Sequence, residues 1–361
     1  MRKISMTVAV AASLTAAVVG LPAHATGTPT YDVVADGLHN PRQLTFSPTG
    51  VLYVAEAGTG GTKPCFTGGE GGQVCFGRTG SVTQVANGVQ TRVASKLPSI
   101  GDQGTGDSAL GPADVALFKA HHLAVTIGLG TDPANRANLP PAARRMGTIM
   151  NIGVPSGDRW IIADLAAHEA ATNPIDDPDS DPTGLIWLQH RFVATDSGGN
   201  TLVSARRNGT VDTIAAFPDT PITGGSYQAV PTDVAKGPDG ALYVTELTGF
   251  PFIPGQANIY RVVPGHAPTV YASGLTNLTS LTFAPDGTLY AVQIADAGLA
   301  SGGPPVGSLL RVAPDGSGQT TQAVASGLFA PYGVALRDGS AYVSVCSVCA
   351  EGGQVVRVPL S

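Results

Sequence analysis

Three stretches of this chain are variations on one unit. FSPTGVLYVAE at 46–56 returns as AKGPDGALYVTE at 235–246 and as FAPDGTLYAVQ at 283–293. Each reads as an apolar strand, a Pro-x-Gly turn and a second apolar strand. Glycine supplies the positive φ that such a turn demands, and Asp-Gly is a strong hairpin signal. Weaker copies bring the units to six, opening near Pro41, Pro112, Pro182, Pro231, Leu278 and Pro331. A four-stranded blade needs about 40–50 residues, and the first two units exceed that, so they carry insertions. A hairpin repeated on this scale predicts an all-β fold, a six-bladed β-propeller. Five or seven blades is the alternative count, and the third unit is the least regular.

Third strands are expected at 80–85, 147–152, 258–263 and 307–312, where apolar and polar residues alternate. Fourth strands read like residues 269–275 and 322–328. After the sixth hairpin only one more strand remains, at 354–358. The missing strand has its pattern at the other end of the chain, in YDVVADGL at 31–38. That segment is expected to complete the last blade and close the ring, removing an unpaired edge.

Residues 1–25 read as an export signal. Arg2 and Lys3 precede an apolar run, and Ala23-His24-Ala25 is a small-x-small cleavage site. The expected product is a secreted, extracellular protein with a short disordered leader at 26–30 and a single propeller domain at 31–361. A membrane anchor is the competing reading, but Ser5, Thr7, Ser13 and Thr15 interrupt the run and Pro22 ends it. Cleavage removes Arg2 and Lys3, leaving 18 basic against 26 acidic residues, a net charge of −8. That argues against nucleic acid and anionic membranes as partners, since both require a basic face. A monomer is expected.

Four cysteines in an exported chain predict two disulfides. The preferred pairing is local, Cys65 with Cys75 and Cys346 with Cys349. Cross-pairing and a four-thiolate zinc site are the alternatives.

In a propeller the loops leaving second strands and those entering first strands share one face. The insertions at 57–79 and 128–147 and the loop at 247–256 should crowd it. Candidate ligand contacts there are Arg42, Asp132, Arg136, Phe250 and Phe252. Four further polar residues hold equivalent places at second-strand ends: Glu56, Asp196, Glu246 and Gln293. First-strand starts carry Gln43, Asp114, Gly184, Asp233, Ser280 and Gly333. Carboxylates converging on one axis repel unless they bind a cation, share protons or meet donors. A Ca²⁺ ion held by Glu56, Asp114 and Asp233 is one expectation; hydrogen bonds to neighbouring backbone amides are the other. Asp177, Asp179 and Asp181 have calcium-loop spacing, but Pro182 stands where the sharp turn needs Gly, so a solvated acidic loop is expected. His39 is the only histidine on the proposed face, and no nucleophile–base pair is readable at fixed spacing.

Several stretches carry a family resemblance: GPADV at 111–115, VTIGLG at 125–130, AVPT at 229–232, ELTGFPF at 246–252 and VCSVCAEGG at 345–353. From about residue 31 onward the chain resembles the secreted ScyD/ScyE family of NHL- and SMP-30-like propellers. The resemblance implies an exported six-bladed propeller and no particular reaction. The wider SMP-30-like group implies an axial calcium site serving lactone hydrolysis, but its typical Asn ligands are not recognisable at Gly184 and Asp233. Two functions are therefore expected to compete. One is a binding module for an extracellular small molecule, glycan or protein. The other is a metal-assisted hydrolase or lyase.

Overall fold

The structure is a computed structural model, and it describes residues 31–68, 71–313 and 321–360. The export signal and leader lie outside these residues. Six antiparallel sheets form the blades. Blade one holds Pro41–Phe46, Leu52–Glu56, Gln73–Ala86 and Val89–Asp102 from axis to rim, with Cys65–Thr67 paired to its third strand. Blade two holds Pro112–Lys119, His122–Ile127, Thr148–Gly153 and Arg159–Asp164. Blade three holds Pro182–Leu188, Arg191–Asp196, Thr201–Arg206 and Val211–Ala216. Blade four holds Pro231–Lys236, Leu242–Glu246, Ala257–Val262 and Thr269–Leu275. Blade five holds Leu278–Phe283, Leu289–Gln293, Val306–Val312 and Gln322–Phe329. Blade six holds Val334–Arg337, Ser340–Val345 and Gly353–Pro359. Its outermost strand is the N-terminal Asp32–Leu38, with Asp32 opposite Arg357 and Leu38 opposite Gly353. The ring closes as the sequence predicts, and Gly353–Pro359 is not left as an unpaired edge.

The turns explain the repeat. Gly50, Gly240 and Gly287 have φ of 87°, 84° and 89°. Asp239 accepts from the Ala241 N–H and holds Arg261 at 2.7 Å. Blade three is as regular as the others, although its sequence is not. Its first hairpin turns through Gln189 and His190 at positive φ (49° and 67°) instead of a Pro-Asp-Gly turn, so the usual signal is missing.

Each seam between blades has its own apolar core. Phe192 and Leu185 pack between blades two and three, Phe217 and Val244 between three and four, and Leu38 and Val54 between six and one. A hydroxyl bond stitches five of the six seams as well. Thr126 donates to the Thr183 carbonyl, Ser197 to Pro231, Thr232 to Leu278, Thr279 to Tyr332 and Ser344 to Arg42, at 2.6–2.9 Å.

Blade one departs from expectation. Its third strand begins at Gln73, not near Gly80, and pairs with a fourth strand of equal length, 14 residues each. The predicted loop is in large part a β-ribbon rising above the ring. Cys65 lies opposite Cys75 in this ribbon, and the two form a disulfide, as do Cys346 and Cys349. The blade-two insertion folds into two 3-10 turns, Pro133–Asn138 and Pro141–Arg145. Leu165–Thr172 is an eight-residue α-helix capped by the Asp164 carboxylate. No helix among the described residues is long and apolar enough to cross a membrane.

Candidate functional site

The predicted residues at second-strand ends share one structural task. Each uses its side chain to hold a neighbouring main-chain N–H. Glu56 accepts from His39 at 2.8 Å, Asp196 from Asp181 at 2.6 Å, Gln293 from Thr276 at 2.8 Å and Glu246 from Asn258 at 2.9 Å. In the first three the bonded segment is the chain about to enter the same blade. Glu56 is buried, which would raise its pKa. Hydrogen bonds from Arg92, Thr83 and the His39 N–H outweigh that and hold it below the usual carboxylate range. No Lys or Arg among the described residues pairs with Glu246, and burial pushes it up to about 7 against the hydrogen bonds from Asn258 and Tyr260.

The axial acids bridge blades. Asp114 Oδ1 accepts from Val115 and its Oδ2 from Leu185 of the next blade, both at 2.6 Å. Asp233 Oδ1 accepts from Val234, and its Oδ2 from Ser280 Oγ and the Leu281 N–H of blade five. Burial raises both, and for Asp114 the charge of Asp233 adds to it. They line a cavity of about 400 Å³ together with Phe46 and Pro48, so it opens toward the hairpin tips. Glu56 is held by Arg92, Ser81 and Thr83 instead. Among the described residues no three His, Cys, Asp or Glu side chains are grouped so as to hold a metal ion. The calcium set read from the sequence therefore does not fit a shared ion.

On the insertion face, Asp132 caps the Pro133–Asn138 turn. Arg136 pairs with Asp164 at 2.9 Å. Phe250 projects from its loop, 75% exposed, with its ring edge-on to Phe252 at 6.2 Å. The Gly249 N–H beside it donates to the Gln228 carbonyl. Arg42 stacks over the Tyr332 ring at 4.8 Å and donates to the Ala109 carbonyl.

None of Arg42, Asp132, Arg136, Phe250 and Phe252 lines the cleft of about 590 Å³ on this face; the Phe250 loop adjoins it only through the Gly249 bond to Gln228. Phe66, Val74, Ile100 and Leu110, from blade one and the segment after it, line the cleft together with Asp102, Asp179, Asp181 and Gln228. Asp181 and Leu110 also line a smaller chamber of about 140 Å³ nearer the axis, beside Arg42 and Tyr332. Asp181 Oδ1 accepts the Leu129 N–H at 3.0 Å. Burial and the charges of Asp179 and Asp196 push Asp181 up to about 7, while Arg42 pulls it down. The three acids of the expected solvated loop turn to three different partners: Asp177 to Gln228, Asp179 to Ser180 N–H and Asp181 to Leu129.

The sequence reading did not nominate Phe66, Val74 or Gln228, and it read Asp179 and Asp181 only as part of a solvated acidic loop, not as cleft-lining residues. Asp181 could have been found from its position one residue before an inner strand. Phe66 carried no signal, because its three-residue strand is too short for a period.

No protein-family model matches the chain, and no curated protein matches it in sequence. Among solved structures, a putative oxidoreductase (glucose dehydrogenase) from Thermus thermophilus aligns with a TM-score of 0.53 at 16% identity, covering 91% of this chain and 99% of that one. A protein of unknown function from Bacteroides thetaiotaomicron aligns at 0.53 and 12% identity, covering 91% and 73%. A catalytically inactive virginiamycin B lyase from Staphylococcus aureus aligns at 0.48 and 13% identity, covering 89% and 95%. The likeness is one of fold, and at these identities no reaction comes with it.

Proposed function

We propose that this is an exported binding protein of ScyD/ScyE type whose small ligand docks in the cleft on the insertion face. The observation that carries the reading is the cleft itself. Its volume of about 590 Å³ lies in the range of small-molecule sites, and it combines apolar side chains with a few polar groups. Export accords with the signal-like residues 1–25 and with two disulfides, which persist in oxidising compartments. The metal-assisted alternative lacks a comparable support, because Glu56, Asp114 and Asp233 do not meet around one point.

The test is a thermal-shift screen of lactones, glycans and small organic ions against the native protein and Gln228→Trp, which fills the cleft mouth. A ligand selective for the folded state raises the melting point. A hit that stabilises the native protein and not the variant is the expected result. Hits that stabilise both equally would remove the cleft from consideration. Phe250→Ala, at the rim, should leave stability within about 0.5 kcal/mol and weaken capture of the same hit.

A further inference from the structure

The lining of the cleft is of two kinds: Phe66, Val74, Ile100 and Leu110 are apolar, while Asp102, beside Val74 on the ribbon, and Asp179 and Asp181 supply carboxylates. Among the described residues no Lys, Arg or His lines it. The Asp181 carboxylate spends Oδ1 on the Leu129 N–H, and its Oδ2 accepts no hydrogen bond among the described residues. It stands where the cleft meets the inner chamber. Gly128 leaves it room: a Cβ there would lie 2.4 Å from Asp181 Oδ1.

Resting on the cleft reading, we infer that the ligand is an amphipathic organic cation, its ammonium or guanidinium head against Asp181 and its apolar body against Phe66 and Leu110. Carboxylates with no basic residue in the lining repel anions and offer a neutral ligand no charge complement. The apolar side chains give a small hydrated ion little reason to enter. A cation with a hydrocarbon body satisfies both kinds of side chain at once.

The charged groups facing Asp181 are known from every side. Asp179 comes from its own loop and Asp196 from the second strand of blade three, while Arg42 comes from blade one. Tyr332 of blade six feels the Asp181 charge in turn. Beyond them Glu169 of the α-helix is coupled to Asp179 and Asp196. Acids outnumber the single guanidinium, which is itself stacked on Tyr332. A bound cation would relieve this imbalance and expel a proton from the lining. Capture should therefore strengthen as pH rises through about 7, the Asp181 value.

The experiment uses three probes with one body and different heads: 4-phenylbutylammonium, 4-phenylbutanol and 4-phenylbutyrate. Calorimetry on the full chain compares them at about pH 8 and about pH 5.5. The ammonium probe should bind at least about tenfold tighter than the others at the higher pH and about tenfold more weakly at the lower. Asp181→Asn should abolish both effects and keep the fold, since its amide oxygen still accepts the Leu129 N–H. Unchanged ammonium affinity in that variant overturns the inference, as does a failure of all three probes to bind. If the alcohol or the carboxylate binds as well as the ammonium and Gln228→Trp abolishes that binding, the cleft reading stands and the cation inference falls. If Gln228→Trp leaves the ammonium probe bound, both fall.

Discussion

The residues entering the blades show how one backbone problem is solved twice in good chemistry and twice at a cost. Asn40, Val230, Asn277 and Ala330 all have positive φ, between 41° and 53°. Each carbonyl accepts from the residue just beyond the second strand, Ala57, Leu247, Ile294 or Ser347. Asparagine tolerates this region, whereas a β-branched side chain is strained in it. Val230→Asn is therefore expected to stabilise the protein by about 1 kcal/mol, read as a rise of about 2 °C in melting point. An equal or lower melting point would count against strain at Val230. The Glu56–Arg92 pair points the other way. Glu56 is fully buried and Arg92 is 38% exposed, so the penalty on removing Arg92 is less than for a wholly buried pair. Arg92→Ala should cost about 2 kcal/mol in a denaturant titration, since it strands a buried carboxylate. These details were only half legible. Equivalent acids could be aligned from the repeat, but whether they faced an ion or an amide depends on loop paths that no repeat encodes.

Among the elements, hairpins were legible and their embellishments were not. A Pro-Asp-Gly turn between alternating strands announces itself. The blade-one ribbon does not, because bulges break its period: the register shifts between Gly77 and Gly80, Gly80 and Val82, and Val82 and Thr83. Lys96 adds a positive φ of 59° on the partner strand, and Pro98 follows. Two of the cleft's apolar residues, Val74 and Ile100, stand on this ribbon. The seams were also hidden, since a Thr on an inner strand looks the same in sequence whether or not it bonds across blades. Thr279→Val keeps the shape and leaves the buried Tyr332 carbonyl short of the bond it has at 2.7 Å. We expect a loss of about 1–2 kcal/mol in the denaturation midpoint, with the fold unchanged by circular dichroism. A neutral effect would mean that water or a neighbour satisfies that carbonyl.

Over the whole molecule, buried carboxyls dominate the dependence of stability on pH. Burial is the first cause that pushes Glu169, Asp181, Asp233 and Glu246 to about 7. Such a group binds its proton more tightly folded than unfolded. Between the ordinary carboxylate value near 4 and about 7 the native state therefore holds more protons, and stability must rise as pH falls through that window. Glu56 is held low, so its contribution is lost only below the usual carboxylate range. The urea midpoint should be higher at about pH 5 than at about pH 8, by the equivalent of at least about 2 kcal/mol. An equal or lower midpoint at pH 5 would show that these acids are solvated in the native state. The closing of the ring was the most legible feature at this scale, because a strand missing at one terminus and present at the other has only one place to go.

Two chambers flank the axis. The one beside Arg42 and Tyr332 and the one floored by Asp114 and Asp233 share no lining residue, and Gln43 reaches past blade six to the Thr279 carbonyl at 2.8 Å. If the proposed cleft binds a ligand, that ligand would enter and leave on the insertion face, past Gln228 and the adjoining Phe250 loop, and changes there would alter how long it stays.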